Sequence, residues 1–224
     1  MFLEEEIIPD KRPFLAVHAP GREFVYKYFD REFDRRITAF PDECDTDMPA
    51  FEIIDTDHET CAESKRFREE CARKGLRIIT LVAPDIIGTG MNGTMMRFAR
   101  GVSRGTMLKI KDNTARRSVI HATDVASAAK TISRSPIEKS QYTVSAPPVG
   151  VNELLDALGQ RIKNKRVGTI SAKWARIIYG KSLYNLLTTD HTVDVSSFEA
   201  DFPDFRFNNP AEYLTTHIYD DESL

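Results

Sequence analysis

Apolar positions along the chain follow two alternating rhythms. Short, almost continuous apolar runs predict buried strands, and runs in which apolar residues return every three or four positions predict helices. FLAVHA, Phe14 to Ala19, is the first strand. Pro20-Gly21 leads from it into EFVYKYFDREFD, where Phe24 and Tyr28, and likewise Val25 and Phe29, lie one helical turn apart. Ile37 to Phe40 predicts a second strand, completing a strand, helix, strand unit of the kind that builds parallel sheets. From Pro41 to Asp57 the chain is acidic and turn-rich. FEII, Phe51 to Ile54, is its only strand-like piece, and the segment reads as a linker or a reduced element.

A helix follows. Thr56 and Glu59 have capping-box spacing, Cys61, Phe67 and Cys71 recur on one side, and Gly75 marks the stop. LRIITLVA, Leu76 to Ala83, is apolar enough after Arg77 to be a central strand covered on both faces. Gly88, Gly90 and Gly93 form a loop before a helix whose apolar side holds Met95, Met96, Ala99 and Val102. Met107 to Ile110, Ser118 to His121 and Gln141 to Ser145 are short strands. Thr123-Asp124 caps the helix VASAAKTI, Asn152 caps one carrying Leu154, Leu155, Leu158 and Ile162, and Trp174, Ile177 and Ile178 belong to another. Asn209-Pro210 starts a last helix, AEYLTTHIY. The alternation predicts an α/β fold, a parallel sheet with helices on both faces, with its main part over residues 1–146 and a smaller C-terminal region over 147–224.

Composition narrows the chemistry. The chain has 224 residues, 41% of them hydrophobic, enough for a sizeable core. Its net charge of −3 gives no basic excess to argue for nucleic acid or an anionic membrane as partner. Cys44, Cys61 and Cys71 are odd in number and far apart, which predicts reduced thiols and no zinc site. The acidic start and the absence of a long apolar run predict a cytoplasmic protein without a membrane span. Asp55 to Glu59, DTDHE, places carboxylates near a histidine, but the segment reads as helix capping rather than as a metal site. His121 reads as a core histidine.

From about Asp57 onward the order of motifs resembles the second half of an extended short-chain dehydrogenase/reductase of the NAD-dependent epimerase/dehydratase family. CAESK (Cys61 to Lys65) falls on that family's Tyr-x-x-x-Lys helix, LRIITLVAPDIIGTG (Leu76 to Gly90) on its strand and substrate loop, RSVIHATDVA (Arg117 to Ala126) on its Arg-aromatic-x-His-Val-x-Asp-Val segment, and TVDVSSFEADF (Thr192 to Phe202) on its substrate-binding tail. The resemblance implies a Rossmann-like sheet, reduced in strand number at the front, plus a small substrate-binding region. It also implies NAD(P) as cofactor and a nucleotide-sugar or similar small molecule as partner; residue spacing adds no metal, and the sheet edges that lost strands uncover favour a homo-oligomer.

Its site residues follow by position. Cys61 occupies the place of the catalytic tyrosine, and Lys65 that of the lysine which binds the nicotinamide ribose. A thiol titrates below a phenol and a neighbouring ammonium lowers it further, but it is shorter, so Cys61 is either an acid/base group or a small apolar residue on the helix. Lys65 is either a ligand contact or a solvated helix lysine. The glycine-rich pyrophosphate turn keeps only Gly21, with His18 and Phe24 at its other glycine positions, unless FLAVHA is a later strand of the family. Pro84 is implied at the cofactor, Gly88, Met91 and Asn92 around the sugar, and Arg117 on the substrate diphosphate with Asn113 as an added donor. A guanidinium suits that task because its fork of donors matches phosphate oxygens. The implied function is nucleotide-sugar modification by an isomerase or oxidoreductase, its redox step weakened by the two departures. The alternative is a non-catalytic nucleotide-sugar-binding or regulatory protein.

Overall fold

The computed structural model describes residues 15–17, 25–33, 49–56, 62–137, 139–164 and 166–216. In chain order the elements are β1 (Leu15–Val17), α1 (Tyr26–Glu32), β2 (Ala50–Asp55), α2 (Ala62–Arg73), β3 (Ile78–Ala83), β4 (Asp85–Ile87), α3 (Gly93–Arg104), β5 (Lys109–Ile110), β6 (Arg116–Arg117), β7 (Val119–His121) and α4 (Ala122–Ser133). The rest are β8 (Gln141–Thr143), β9 (Val149–Gly150), α5 (Val151–Lys163), β10 (Thr169–Ile170), α6 (Ala172–Thr188), α7 (Ser196–Asp201) and α8 (Pro210–Thr216). The strand expected at Ile37 to Phe40 lies outside the described residues.

Four parallel strands form the main sheet in the order β1-β2-β3-β8. Because side chains alternate along a strand, each face collects every second residue. Leu15, Phe51, Ile53, Ile79 and Leu81 make one face and pack against Phe29 of α1 and Val125, Ala128 and Ala129 of α4. The alanines let α4 lie close to the strands. Val25 and Phe29, one helical turn apart in the sequence, are fully buried in this core. Ala16, Ala50 and Ile78 face the other way, onto Phe67 and Cys71 of α2.

The second face explains why β2 is hard to read. Glu52 interrupts its apolar run, yet the carboxylate is fully buried. It accepts hydrogen bonds from Ser64 Oγ (2.5 Å), Arg68 Nη2 (2.6 Å) and Thr80 Oγ1 (3.1 Å). A buried carboxylate is tolerated when donors surround it. The segment expected to be a linker or a reduced element thus supplies, at its strand-like FEII, an interior strand paired on both sides.

Two helix starts also differ from expectation. His121, not Thr123-Asp124, caps α4: its Nδ1 accepts the Thr123 N–H at 3.1 Å. Asp124 is buried and accepts from the backbone N–H (2.9 Å) and side-chain amide (2.5 Å) of Asn208. Asn152 leaves the start of α5 to Gly150 and instead bonds the backbone N–H and C=O of Ile110, acting as a strand neighbour to β5. Asn209 caps α8 as expected, accepting from Ala211 N–H.

A second core joins α3, α5, α6 and α8 through Met95, Phe98, Leu154, Leu158, Leu187 and Leu214. Residues from Ile87 to Val119 belong to it, so the chain leaves the sheet after β3, contributes to this core, and returns as α4 and β8. The tail comes back as well. Phe198 is fully buried against Tyr142 of β8, with Phe202, Phe205 and Phe207 around it. Tyr142 donates its phenol to Asp201 at 2.8 Å, and Lys139 pairs with the same carboxylate. These contacts fasten α7 over the β8 edge.

Candidate functional site

Asp55 and Ala83 lie side by side in the register of β2 and β3, so both strands deliver the chain to the same end of the sheet. Ligands of open α/β sheets bind beyond the carboxyl ends of the strands. Here Asp55, Thr56, Pro84 and Asp85 border a cleft of about 380 Å³. Thr94, Arg117 and Ser118 line it further, and residues 186–193 complete the wall with Leu186, Asp190, His191, Thr192 and Val193.

That last segment is strapped along β6. His191 N–H donates to Arg116 O at 2.9 Å, Ser118 N–H to His191 O at 2.8 Å, and Val193 N–H to Ser118 Oγ at 3.1 Å. Arg116 N–H donates to Asp190 Oδ1 at 2.7 Å. Asn113 fixes the preceding turn, its amide donating to Leu187 O at 2.8 Å.

Arg117 is the central charge. Its side chain is 6% exposed, its Nη1 meets Asp85 Oδ2 at 2.6 Å, and Nη2 reaches Leu186 O at 3.3 Å. The ring of Phe98 lies 5.8 Å from the guanidinium carbon. Nε is buried and has no hydrogen-bond partner among the described residues. The neighbouring Arg116 is exposed and donates instead to Pro148 O.

The residues singled out in the sequence are distributed unevenly around this cleft. Pro84 and Arg117 line it together. Gly88 is buried next to it in a backbone conformation with φ +154°, and a Cβ there would come within 2.8 Å of the Tyr28 hydroxyl, which accepts the Thr89 N–H. Glycine thus lets α1 dock on the loop. Met91 is buried in the second core. Asn92 caps α3 and borders a separate groove. Asn113 acts through the strap, and Lys65 is exposed on α2 and is not among the residues lining the cleft. Cys61 and Gly21 lie outside the described residues. Asp85, Thr56, Ser118 and His191 escaped the sequence reading. Asp55-Thr56 carried a usable signal, the first polar pair after an apolar strand, once FEII is recognised as that strand.

Comparison with solved structures places the architecture. UDP-N-acetylglucosamine 4-epimerase from Bacillus cereus superposes with TM-score 0.53 at 14% identity over 92% of this chain and 78% of that one. RMD from Pseudomonas aeruginosa, solved with NADPH, gives TM-score 0.52 at 12% identity over 95% and 82%. The fold is Rossmann-like, an α/β architecture shared with these two proteins. The chain also matches WbmH from Bordetella bronchiseptica, solved with NAD+, at TM-score 0.47 and 15% identity over 75% of its own length, and spans 60% of that enzyme. No family model matches the chain, and a search of curated protein sequences found no match.

Within this Rossmann-like fold the cofactor question turns on strand order. Doubly wound sheets bind a dinucleotide in the crevice where the order of strands reverses. Here β1, β2, β3 and β8 follow one another across the sheet in chain order, so the described residues contain no reversal and do not build that crevice. Among the described residues no His, Cys, Asp and Glu cluster is arranged to hold a metal, and no helix is long and apolar enough to cross a membrane.

Proposed function

We propose that this protein binds a nucleotide-sugar or a related phosphorylated small molecule in the cleft at the carboxyl ends of β2 and β3, with Arg117 facing the phosphates. One observation carries the reading: a buried guanidinium borders a polar cleft with its Nε donor lacking a partner among the described residues. Guanidinium donors match phosphate oxygens in direction and charge. The hydroxyls of Thr56, Thr94 and Thr192 suit a sugar, and Asp55 is an acceptor for its OH groups. Asp85 already pairs with Nη1, so an incoming phosphate shares or displaces that contact. Titration calorimetry with UDP-glucose and GDP-mannose tests this. Saturable binding is expected, weakened at least about tenfold in Arg117→Met, a loss of about 1.4 kcal/mol. No heat from either ligand up to millimolar concentration refutes it.

A second reading is a redox isomerase or oxidoreductase that uses NAD(P). It is favoured by the likeness in fold to RMD, which was solved with NADPH. In that reading Cys61 is the acid/base group, Lys65 holds the ribose, and Gly21 and Pro84 flank the cofactor. The two readings separate by nicotinamide fluorescence. Enhancement on adding NADH or NADPH, abolished in Lys65→Ala, supports the enzyme. A flat titration beside a clear response to a nucleotide-sugar leaves the binding protein.

A further inference from the structure

A groove of about 550 Å³ separates α3 from α6 and shares no lining residue with the ligand cleft. One wall is the outer side of α3, where Arg97, Arg100 and Arg104 follow one another at helical spacing while Met95, Phe98, Ala99 and Val102 face the core. Ile178, Tyr179 and Leu183 of α6 form the other wall. Gly180, at φ 63° and ψ 175°, breaks α6, so that Ala172–Tyr179 is a short helix of its own. It meets the core through buried Ala175 and half-buried Tyr179, whose hydroxyl bonds the backbone of Leu108. Trp174, Ile177 and Ile178 are 60%, 65% and 58% exposed, flanked by exposed Lys173, Arg176 and Lys181.

Neither α3 nor α6 contains a single Asp or Glu, in a chain with 34 acidic and 31 basic residues. Among the described residues none of these arginines and lysines pairs with a carboxylate. The net charge of −3 therefore hides one purely cationic face beside three large exposed apolar side chains.

We infer that this face docks on an anionic lipid surface, with headgroup phosphates in the arginine groove and Trp174, Ile177 and Ile178 in the boundary between headgroups and acyl chains. The combination of adjacent cations with a Trp and aliphatic side chains on a short helix is what interfacial binding uses. A free anion would leave the apolar trio unexplained. Isologous pairing of two copies through this face would set cation against cation with no carboxylate to neutralise them. The inference does not depend on the ligand reading of the cleft.

Trp174 is the sole tryptophan of the chain, so its emission reports the contact directly. With vesicles of equimolar phosphatidylcholine and phosphatidylglycerol, the emission is expected to move to shorter wavelength and the protein to sediment with the lipid. High salt reverses both effects, and phosphatidylcholine alone produces neither. Replacing Arg97, Arg100 and Arg104 together by Gln lowers the apparent affinity about a hundredfold, at roughly fivefold per cation near the surface. Ile177→Ser with Ile178→Ser keeps every charge and still weakens binding at least about tenfold. All five positions are partly or fully solvent-facing, and unchanged melting of the variants shows that they fold. Three results overturn the inference: no sedimentation with the anionic vesicles at low salt, undiminished binding by the double Ser variant, or a spectral shift that follows protein concentration without lipid, which assigns the face to a second copy.

Discussion

Replacing Asp85 by Leu removes the partner of a guanidinium that is almost wholly out of water. Arg117 keeps the Leu186 carbonyl at 3.3 Å and the face of Phe98, neither of which carries a compensating charge. Breaking one side of a buried ion pair typically costs 3–5 kcal/mol. Asp85 is 15% exposed and the cleft admits water, so the expected loss is about 2–4 kcal/mol. For a chain of this length that lowers the melting temperature by about 5–12 °C. Calorimetric melting and urea unfolding at neutral pH measure it. The companion variants are Arg117→Met and the double Asp85→Leu, Arg117→Met. Because the double variant buries no unpaired charge, it is expected to recover most of the loss, giving a coupling of at least about 1 kcal/mol. A single Asp85→Leu variant that melts within about 2 °C of the parent, or additive single effects, would falsify the claim that the pair organises the cleft.

Phe198→Ala tests the covering of the β8 edge. The side chain is fully buried against aromatic rings with centroids 5.0 to 5.8 Å away, so the variant is expected to lose about 3–5 kcal/mol in urea unfolding. A loss below about 1 kcal/mol means that the tail is not fastened there. Asp124 gives a pH dependence. Desolvation raises its pKa above the ordinary 3.8 despite the opposing hydrogen bonds from Asn208. The folded state then holds this proton more tightly than the unfolded chain. Its contribution to stability is complete below pH 3.8 and is lost as pH rises through the raised pKa. The difference in melting temperature between the parent and Asp124→Asn, followed upward from acid pH, is expected to shrink across that window. A difference independent of pH refutes the assignment.

The legibility of the fold varied with how local each signal was. LRIITLVA announced β3 because a continuous apolar run has few other uses, and Asn209-Pro210 announced α8 because cap and helix are adjacent. FEII was obscured by Glu52, whose partners Ser64, Arg68 and Thr80 lie 12 to 28 residues away. The caps of α4 and α5 misled for a related reason. Asp124 and Asn152 have capping side chains, but tertiary partners at Asn208 and Ile110 claim them. Trp174, Ile177 and Ile178 did mark a helix, yet that helix buries Ala175 and leaves the three large residues outside.

Of the site, the sequence pointed to Pro84 and Arg117, through the LRIITLVAPDIIGTG and RSVIHATDVA segments. It also determined the alternation of strands and helices, and hence the parallel α/β class, because hydrophobic period is written into consecutive residues. Tertiary structure alone decided that β2 lies inside the sheet and that the strands run in chain order without a reversal. It also brought Asp85 to Arg117, 32 residues on, strapped residues 186–193 beside them, and gathered the arginines of α3 beside α6. These outcomes depend on pairings between distant segments. Their free energy comes from burial and charge neutralisation that exist only once the chain is closed on itself.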